Sequence, residues 1–251
     1  MTTPSPMLAQ MSLGLALREN ATFAGFFPGG NLEVVQALQQ SARGEGEPLI
    51  YLWGGRGCGK THLLQAACHQ AGERARAAAY LAMEQVGQLP VDVLEGLEEL
   101  PLVCIDDIHL VAGRSEWEFA LFDLFNRIRE SGTHLVIAAR AKAADLGLQL
   151  PDLRSRLGWG IGFQLHDLDD TGKLAVLRLH AGKRGLELAE EVGLYLLRRC
   201  ARDMAGLMEL LDRLDQASLA AQRRLTIPFV KSVLSSLPPE SAHTAVPPQT
   251  G

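Results

Sequence analysis

The chain has 251 residues, of which 47% are hydrophobic and 21% are charged, and its formal net charge is −5. These values are typical of a globular protein with one large domain, or with a core domain and a smaller second one. No apolar run approaches the roughly 18 residues of a membrane-spanning helix, and residues 1–10 lack the basic start and apolar stretch of a signal peptide. We therefore expect a cytoplasmic protein with no membrane partner.

The cysteines indicate neither a disulfide framework nor a zinc site. None of them forms a C-x-x-C pair, and they lie in apolar segments or in a glycine-rich loop. We expect reduced thiols at Cys58, Cys68, Cys104 and Cys200.

Short apolar runs predict the strands of a sheet. Most of these runs lack polar alternation, which is typical of strands buried on both faces, as in a parallel sheet between helix layers. The predicted strands span residues 49–53, 77–83, 102–105, 134–139 and 161–165. A short helix after Leu32 and an amphipathic helix at 116–130 would pack on this sheet, the second with its charged residues on the outer side.

Beyond residue 166 the pattern changes to helices only. Helical spacing covers residues 173–183, 190–201 and 203–222, and a last helix begins near Thr226, with Pro228 in its first turn. We predict a flexible segment at 1–20, an α/β nucleotide-binding domain at 21–166, a helical lid at 167–237 and a disordered tail at 238–251.

Residues 54–61 read G-G-R-G-C-G-K-T, a complete Walker A phosphate loop between the first predicted strand and a helix. Its glycines let backbone N–H groups point at a phosphate, and the dipole of the following helix favours the anion. Lys60 would reach the β and γ phosphates of ADP or ATP, and the Thr61 hydroxyl would bind Mg²⁺. The predicted nucleotide-binding residues are Gly55, Arg56, Gly57, Cys58, Gly59, Lys60, Thr61 and His62.

Residues 102–107 read L-V-C-I-D-D, an apolar strand that ends in two carboxylates, which is the Walker B pattern. Asp106 would hold Mg²⁺, mostly through water. Asp107 stands where most AAA+ enzymes have the glutamate that orients the attacking water. Since aspartate is one methylene shorter, we expect any hydrolysis by the chain itself to be slow. The predicted fold is therefore α/β: a P-loop nucleotide domain of the AAA+ type with a five-stranded parallel sheet, followed by a small all-helical lid.

Several segments resemble the bacterial replication initiator DnaA. They are T-F-A-G-F at 22–26, G-K-T-H-L-L-Q-A at 59–66, D-D-I at 106–108, A-G at 112–113 and R-S-R-L-G-W at 154–159. A closer similarity is to Hda, a truncated DnaA-related family of regulatory inactivators, at 51–53, 103–106, 150–153 and 225–231. Because the last predicted helix ends near residue 237, with no helix-turn-helix domain after it, we do not expect independent recognition of origin DNA.

The resemblance implies a negative regulator of replication initiation that stimulates ATP hydrolysis by DnaA. In DnaA the segment that residues 154–159 resemble carries the arginine finger, which implies that Arg156 acts on the nucleotide of a partner. Arg154 is a second candidate for the finger, with a surface ion pair as its alternative role. The resemblance leaves open whether the chain forms a homo-dimer or a larger oligomer.

Residues 10–15 are similar to the peptide Gln-Leu-Ser-Leu-Pro-Leu, by which Hda binds the β sliding clamp of DNA polymerase III. The resemblance implies that Gln10 hydrogen-bonds at the rim of a pocket, while apolar side chains of an extended peptide fill it. DNA would then be reached indirectly, through the clamp. The predicted clamp-binding residues are Gln10, Met11, Ser12, Leu13 and Leu15.

Two positions depart from the AAA+ pattern. Arg140 aligns where the initiator family has a polar sensor residue, and Ala205 aligns where it has a sensor arginine, with Arg202 three residues earlier. A local misalignment would also explain both.

Two alternative functions remain open. One is an autonomous AAA+ ATPase such as a helicase loader, which would turn over ATP without a partner. The other is a P-loop kinase or transferase, which would need a small-molecule acceptor.

Overall fold

The computed structural model describes residue 17, residues 21–199 and residues 204–236. It divides into two compact units, Met1–Val176 and Leu177–Gly251. None of the helices in the described parts has the length and apolar character needed to cross a bilayer. Cys58, Cys68 and Cys104 are buried free thiols, and Cys200 lies outside the described residues.

The first unit contains a five-stranded parallel sheet with the strand order β2-β3-β4-β1-β5, which confirms the predicted fold class. The predicted bounds of the first and fourth strands are correct, the second is one residue too long at each end, and the third and fifth differ by one residue at their last position. The second strand ends at Ala82 because the next three residues form a 3₁₀ turn. The strands are β1 Leu49–Trp53, β2 Ala78–Ala82, β3 Leu102–Asp106, β4 His134–Ala139 and β5 Ile161–Gln164.

Helices cover both faces of the sheet, so β3 and β4 are buried along their whole length. Alternate side chains of one strand therefore enter different cores: Val103 packs with Leu121 and Leu124 on one face, whereas Cys104 packs with Leu63 and Leu64 on the other. The helices of this unit are α1 Leu32–Arg43, α2 Lys60–Glu73, α3 Ser115–Ser131 and α4 Pro151–Leu157. A further helix, α5 Asp170–Lys183, contains the boundary between the units.

Helix α5 begins three residues earlier than the apolar pattern predicts. Asp169 Oδ1 accepts a 2.7 Å hydrogen bond from the Gly172 N–H, so a side-chain cap starts the helix before its first apolar residue.

The regular elements in the described part of the second unit are all helices. Its described helices after α5 are α6 Glu190–Arg199, α7 Met204–Ala221 and α8 Ile227–Ser236, and leucines such as Leu177, Leu196 and Leu211 form its core. Thr226 caps α8 as predicted, because its Oγ1 accepts a hydrogen bond of 3.4 Å from the Phe229 N–H.

Candidate nucleotide site and arginine finger

The phosphate loop begins where β1 ends, at the carboxyl edge of the sheet. The Gly54 N–H donates a 3.3 Å hydrogen bond to Ala139 O, which joins the loop to the end of β4. Gly57 and Gly59 have positive φ angles of 81° and 100°. A Cβ on Gly59 would also lie only 2.6 Å from Cε2 of Phe26, so both the backbone and the space at this position require glycine.

Lys60, the first residue of α2, lies inside the curve of the loop. It is 7% exposed, and its Nζ donates hydrogen bonds of 2.8 Å and 2.7 Å to the carbonyl oxygens of Gly54 and Gly55. It also donates to Cys58 Sγ at 3.7 Å, and a buried ammonium held by two carbonyl oxygens and a thiol still needs an anionic partner. The loop therefore fits a polyphosphate.

The two Walker motifs are joined by a hydrogen bond. Thr61 Oγ1 donates to Asp106 Oδ2 at 2.6 Å, and Tyr80 Oη donates to the same oxygen at 2.9 Å. The N–H of Asp107 donates to Asp106 Oδ1 at 3.0 Å. Asp106 is 3% exposed. Burial raises the pKa of this carboxyl and the nearby Asp107 raises it further, while the hydrogen bonds from Thr61 and Tyr80 oppose the shift.

These oxygens suit Mg²⁺, which prefers hard oxygen ligands and keeps several waters. Within the described residues there is no cluster of three or more His, Cys, Asp or Glu side chains that would form a metal cage. One hydroxyl and one carboxylate beside a phosphate loop are the donor set expected when most ligands come from water and phosphate. Thr61 and Asp106 would hold such an ion, whose charge would stabilise the phosphates and the buried carboxylate.

Asp107 follows β3 in a left-handed backbone conformation, with φ 54° and ψ 42°. Its Oδ1 lies 3.7 Å from Nδ1 of His109, and both ring nitrogens of His109 are buried without a hydrogen-bond partner among the described residues. Burial lowers the pKa of His109, Arg140 and Lys60 lower it further, and Asp107 opposes them. The structure therefore brings Lys60, Asp107 and Arg140 within electrostatic reach of one imidazole, which the sequence analysis did not identify.

The segment before α1 packs against the start of α2. His62 Nε2 lies 2.9 Å from Thr22 O, and the ring centroids of His62 and Phe26 are 5.6 Å apart. The side chain of His62 is thus engaged with the preceding segment, and its predicted contact with nucleotide stays a prediction. Arg56 and Gly55 are exposed at the tip of the loop.

The arginine-finger candidates lie on α4, and Arg156 is near the opposite edge of the sheet from the phosphate loop. The first residue of β5, Ile161, pairs with Ile50 at the start of β1, whereas the loop follows the last residue of β1. At about 3.3 Å per residue, β1 separates these edges by roughly 13 Å. The Trp159 N–H donates to Arg156 O at 3.0 Å, so Arg156 lies within one turn of the residues that lead into β5.

Arg156 is held by an aromatic ring. Its guanidinium carbon lies 4.0 Å from the centroid of the Trp159 ring and 5.5 Å from that of Phe122. Neither Arg154 nor Arg156 forms a salt bridge with any described residue, so the structure provides no partner there for the alternative surface role of Arg154.

The remaining predicted positions lie elsewhere. Residues 10–15 and Arg202 fall outside the described part of the chain, so the structure does not place the clamp-binding peptide or the alternative sensor arginine. Ala205 is an exposed residue in the first turn of α7.

A phosphate loop and a Walker B strand in a β2-β3-β4-β1-β5 parallel sheet define the AAA+ class of P-loop proteins. Two family models match the chain: residues 17–164 match the bacterial DnaA ATPase domain, and residues 170–234 match the lid domain of Hda. The chain thus belongs to the family of bacterial DnaA ATPase domains, as an Hda/DnaA-like AAA+ protein.

Solved structures share this fold. Domain III of the replication initiation protein DnaA from Thermotoga maritima is 23% identical, with a TM-score of 0.78 over 88% of this chain and 98% of that one. AMPPCP-bound DnaA from Aquifex aeolicus is 25% identical, with a TM-score of 0.67 over 78% of this chain and 66% of that one. The Holliday junction branch migration motor RuvB from Thermotoga maritima is 18% identical, with a TM-score of 0.62 over 81% of this chain and 68% of that one.

Proposed function

We propose that this protein is a negative regulator of replication initiation that stimulates the hydrolysis of ATP bound to DnaA. Arg156 would enter the partner's site beside the γ-phosphate, while the chain's own phosphate loop holds ADP or ATP with Mg²⁺. The match to the Hda lid domain and the AMPPCP bound to Aquifex aeolicus DnaA support the partner and the ligand.

The observation that carries this proposal is the position of Arg156. Its guanidinium packs on an exposed tryptophan, without a salt bridge to any described carboxylate and near the edge of the sheet opposite to its own phosphate loop. A cation so placed is poorly positioned for its own nucleotide but is available to a neighbouring subunit.

A guanidinium suits this role because it is always charged and presents a planar fork of N–H donors to phosphate oxygens. In phosphoryl transfer, negative charge spreads over the oxygens of the transferred group, and a positioned arginine stabilises that charge. Arginine fingers of P-loop proteins contribute about 10³ to 10⁵ in rate.

The proposal also includes a tether. Residues 10–15 would bind the DNA-loaded β clamp, through apolar contacts of Met11, Leu13 and Leu15 and a hydrogen bond of Gln10. An affinity of about 1 μM, or roughly 8 kcal/mol, is typical of such short contacts. When the clamp contact is linked to a second contact with DnaA, the effective concentration of the chain at DnaA rises, and activity would be restricted to loaded clamps.

The experiment follows conversion of labelled ATP to ADP on DnaA in the presence of DNA-loaded clamp. Arg156→Ala and a deletion of residues 10–15 should each abolish stimulation, and clamp binding should be lost only with the deletion. Arg154→Ala is the matched control, because it removes an exposed arginine from the same helix; it should retain stimulation within about threefold.

Full stimulation by Arg156→Ala would overturn the finger assignment. Rapid ATP turnover by the purified chain, without DnaA or clamp, would favour the autonomous ATPase instead.

A further inference from the structure

We propose that Trp159 is a positioning residue for Arg156, and that its indole ring holds the guanidinium in the orientation used for the partner's nucleotide. This inference rests on the proposed function, which supplies the reaction in which Arg156 takes part. It gives a role to Trp159, whose ring lies against the guanidinium although the residue is 54% exposed.

The backbone places Trp159 next to the arginine. The Trp159 N–H donates to Arg156 O at 3.0 Å, and the Gly158 N–H donates to Ser155 O at 3.1 Å, so the chain turns tightly at the end of α4. On the other side of Trp159, a Cβ on Gly160 would lie 2.1 Å from Leu49 O. The backbone of Trp159 is therefore anchored between α4 and the start of β1, and its ring is the nearer of the two that lie against the guanidinium of Arg156.

The geometry of the stack leaves the donors of the arginine available. The guanidinium carbon is 4.0 Å from the ring centroid, which is a close cation–π contact. Such a contact occupies the face of the guanidinium, whereas its N–H groups lie in the plane and point outward along the edges. Because the ring restricts the side chain without using its hydrogen bonds, less conformational entropy is lost when those donors meet a phosphate.

A salt bridge would have the opposite effect. A carboxylate partner would occupy the same N–H fork and would have to be displaced before the finger could act. Neither the ring of Trp159 nor that of Phe122, which lies 5.5 Å away, competes with phosphate in this way.

A second guanidinium shares the ring. Arg129, in the last turn of α3, lies 5.1 Å from the centroid of Trp159. Two like charges near one ring repel each other, and the negative face of the indole offsets that cost. The same ring thus permits a locally positive surface, which is the field that an anionic nucleotide requires.

The test measures the maximal rate and the apparent affinity separately for hydrolysis of DnaA-bound ATP, with Trp159→Leu and Trp159→Tyr. The strength of a cation–π contact depends on how far it is shielded from water. Over the range from an exposed to a partly desolvated contact, we expect Trp159→Leu to lower the maximal rate about 3- to 30-fold and to change the apparent affinity by less than about twofold. Trp159→Tyr should recover part of the rate, because a tyrosine ring also binds cations. Phe119→Leu is the matched control, since it removes an aromatic ring that is 57% exposed and forms no cation–π pair with Arg156; its maximal rate should equal that of wild type.

The outcomes separate this inference from the proposed function. If Arg156→Ala stimulates normally, the proposed function fails. If Arg156→Ala is inactive but Trp159→Leu reaches the wild-type maximal rate, only the positioning role is overturned. A change in apparent affinity alone would make Trp159 a docking contact, and a faster maximal rate would mean that the stack sequesters the finger; either result contradicts the inference.

Discussion

The hydroxyl of Thr61 donates a 2.6 Å hydrogen bond to Asp106 Oδ2 across 45 residues of sequence. This bond fixes the first turn of α2 against the end of β3, so the two groups that would hold Mg²⁺ are already aligned. Tyr80 on β2 donates to the same carboxylate oxygen and thereby restricts its rotation.

The first prediction concerns Thr61→Val, which keeps the side-chain shape and removes the hydroxyl. Loss of a hydrogen-bonding group next to a charge costs about 1.5–3 kcal/mol. We expect the increase in nucleotide affinity caused by Mg²⁺ to fall at least about tenfold, since a factor of ten corresponds to about 1.4 kcal/mol. Calorimetric titration with and without Mg²⁺ measures this increase. Thr61→Ser should behave as wild type, and an unchanged Mg²⁺ effect in the valine variant would exclude Thr61 as a ligand.

The second prediction concerns Asp106→Asn and follows from the raised pKa of this buried carboxyl. Because the folded state holds the proton more tightly than the unfolded state, the contribution of Asp106 to stability falls as the pH rises above the ordinary value of 3.8. The full cost is present once the pH exceeds the folded-state pKa. An asparagine carbonyl still accepts hydrogen bonds from Thr61 and Tyr80 and carries no charge, and only the 3.0 Å bond from the Asp107 N–H to Oδ1 is lost.

Nucleotide-free Asp106→Asn should therefore have a higher free energy of unfolding than wild type at pH 7, while its nucleotide affinity should no longer respond to Mg²⁺. Urea titrations at several pH values above 3.8 measure the difference. The difference in the free energy of unfolding between Asp106→Asn and wild type should become smaller as the pH falls. A variant that is less stable than wild type at pH 7 would contradict this prediction.

A third prediction comes from Glu118, which is 1% exposed on α3. Its Oε1 accepts from the Gly113 N–H at 2.8 Å and its Oε2 from the Leu150 N–H at 2.7 Å. Both hydrogen bonds are partly buried, and Glu118→Ala removes the acceptor of each, at a cost of about 1–3 kcal/mol per bond. We expect a total loss of about 2–5 kcal/mol in the free energy of unfolding, measured by urea titration.

Glu116→Ala on the same helix is the control, since Glu116 is exposed, and it should change stability by less than about 0.5 kcal/mol. Because Leu150 immediately precedes α4, hydrogen exchange of α4 amides should also become faster in Glu118→Ala. Wild-type stability in this variant would show that these backbone groups find other partners.

Local patterns were sufficient to predict the sheet and the phosphate loop. The apolar runs of β3 and β4 are buried on both faces, so their composition alone distinguishes them from the helices. The G-x-x-x-x-G-K-T spacing fixes the geometry of the loop within a few residues.

Contacts between distant segments were not predictable in the same way. In the sequence Tyr80 is an ordinary strand residue, and only the pairing of β2 with β3 brings it to Asp106, 26 residues later. Glu118 has the pattern of the charged side of a helix, and only the fold brings the Leu150 N–H to its carboxylate. His109 lies two residues after Asp107 in the sequence. Its titratable ring, so close to the Walker B carboxylates, was the one local signal that it belongs to the site.

The most direct test of the central claim is the single-turnover rate at which labelled ATP, bound to DnaA in advance, becomes ADP in the presence of loaded clamp and the regulator. The comparison is between Arg156→Ala and Asp107→Asn, of which the second removes the chain's own candidate water-orienting group. If Arg156 acts on the partner's nucleotide, Asp107→Asn stimulates as wild type does and Arg156→Ala lowers the rate by about 10³ or more. A wild-type rate with Arg156→Ala, together with a lost rate with Asp107→Asn, would contradict the account.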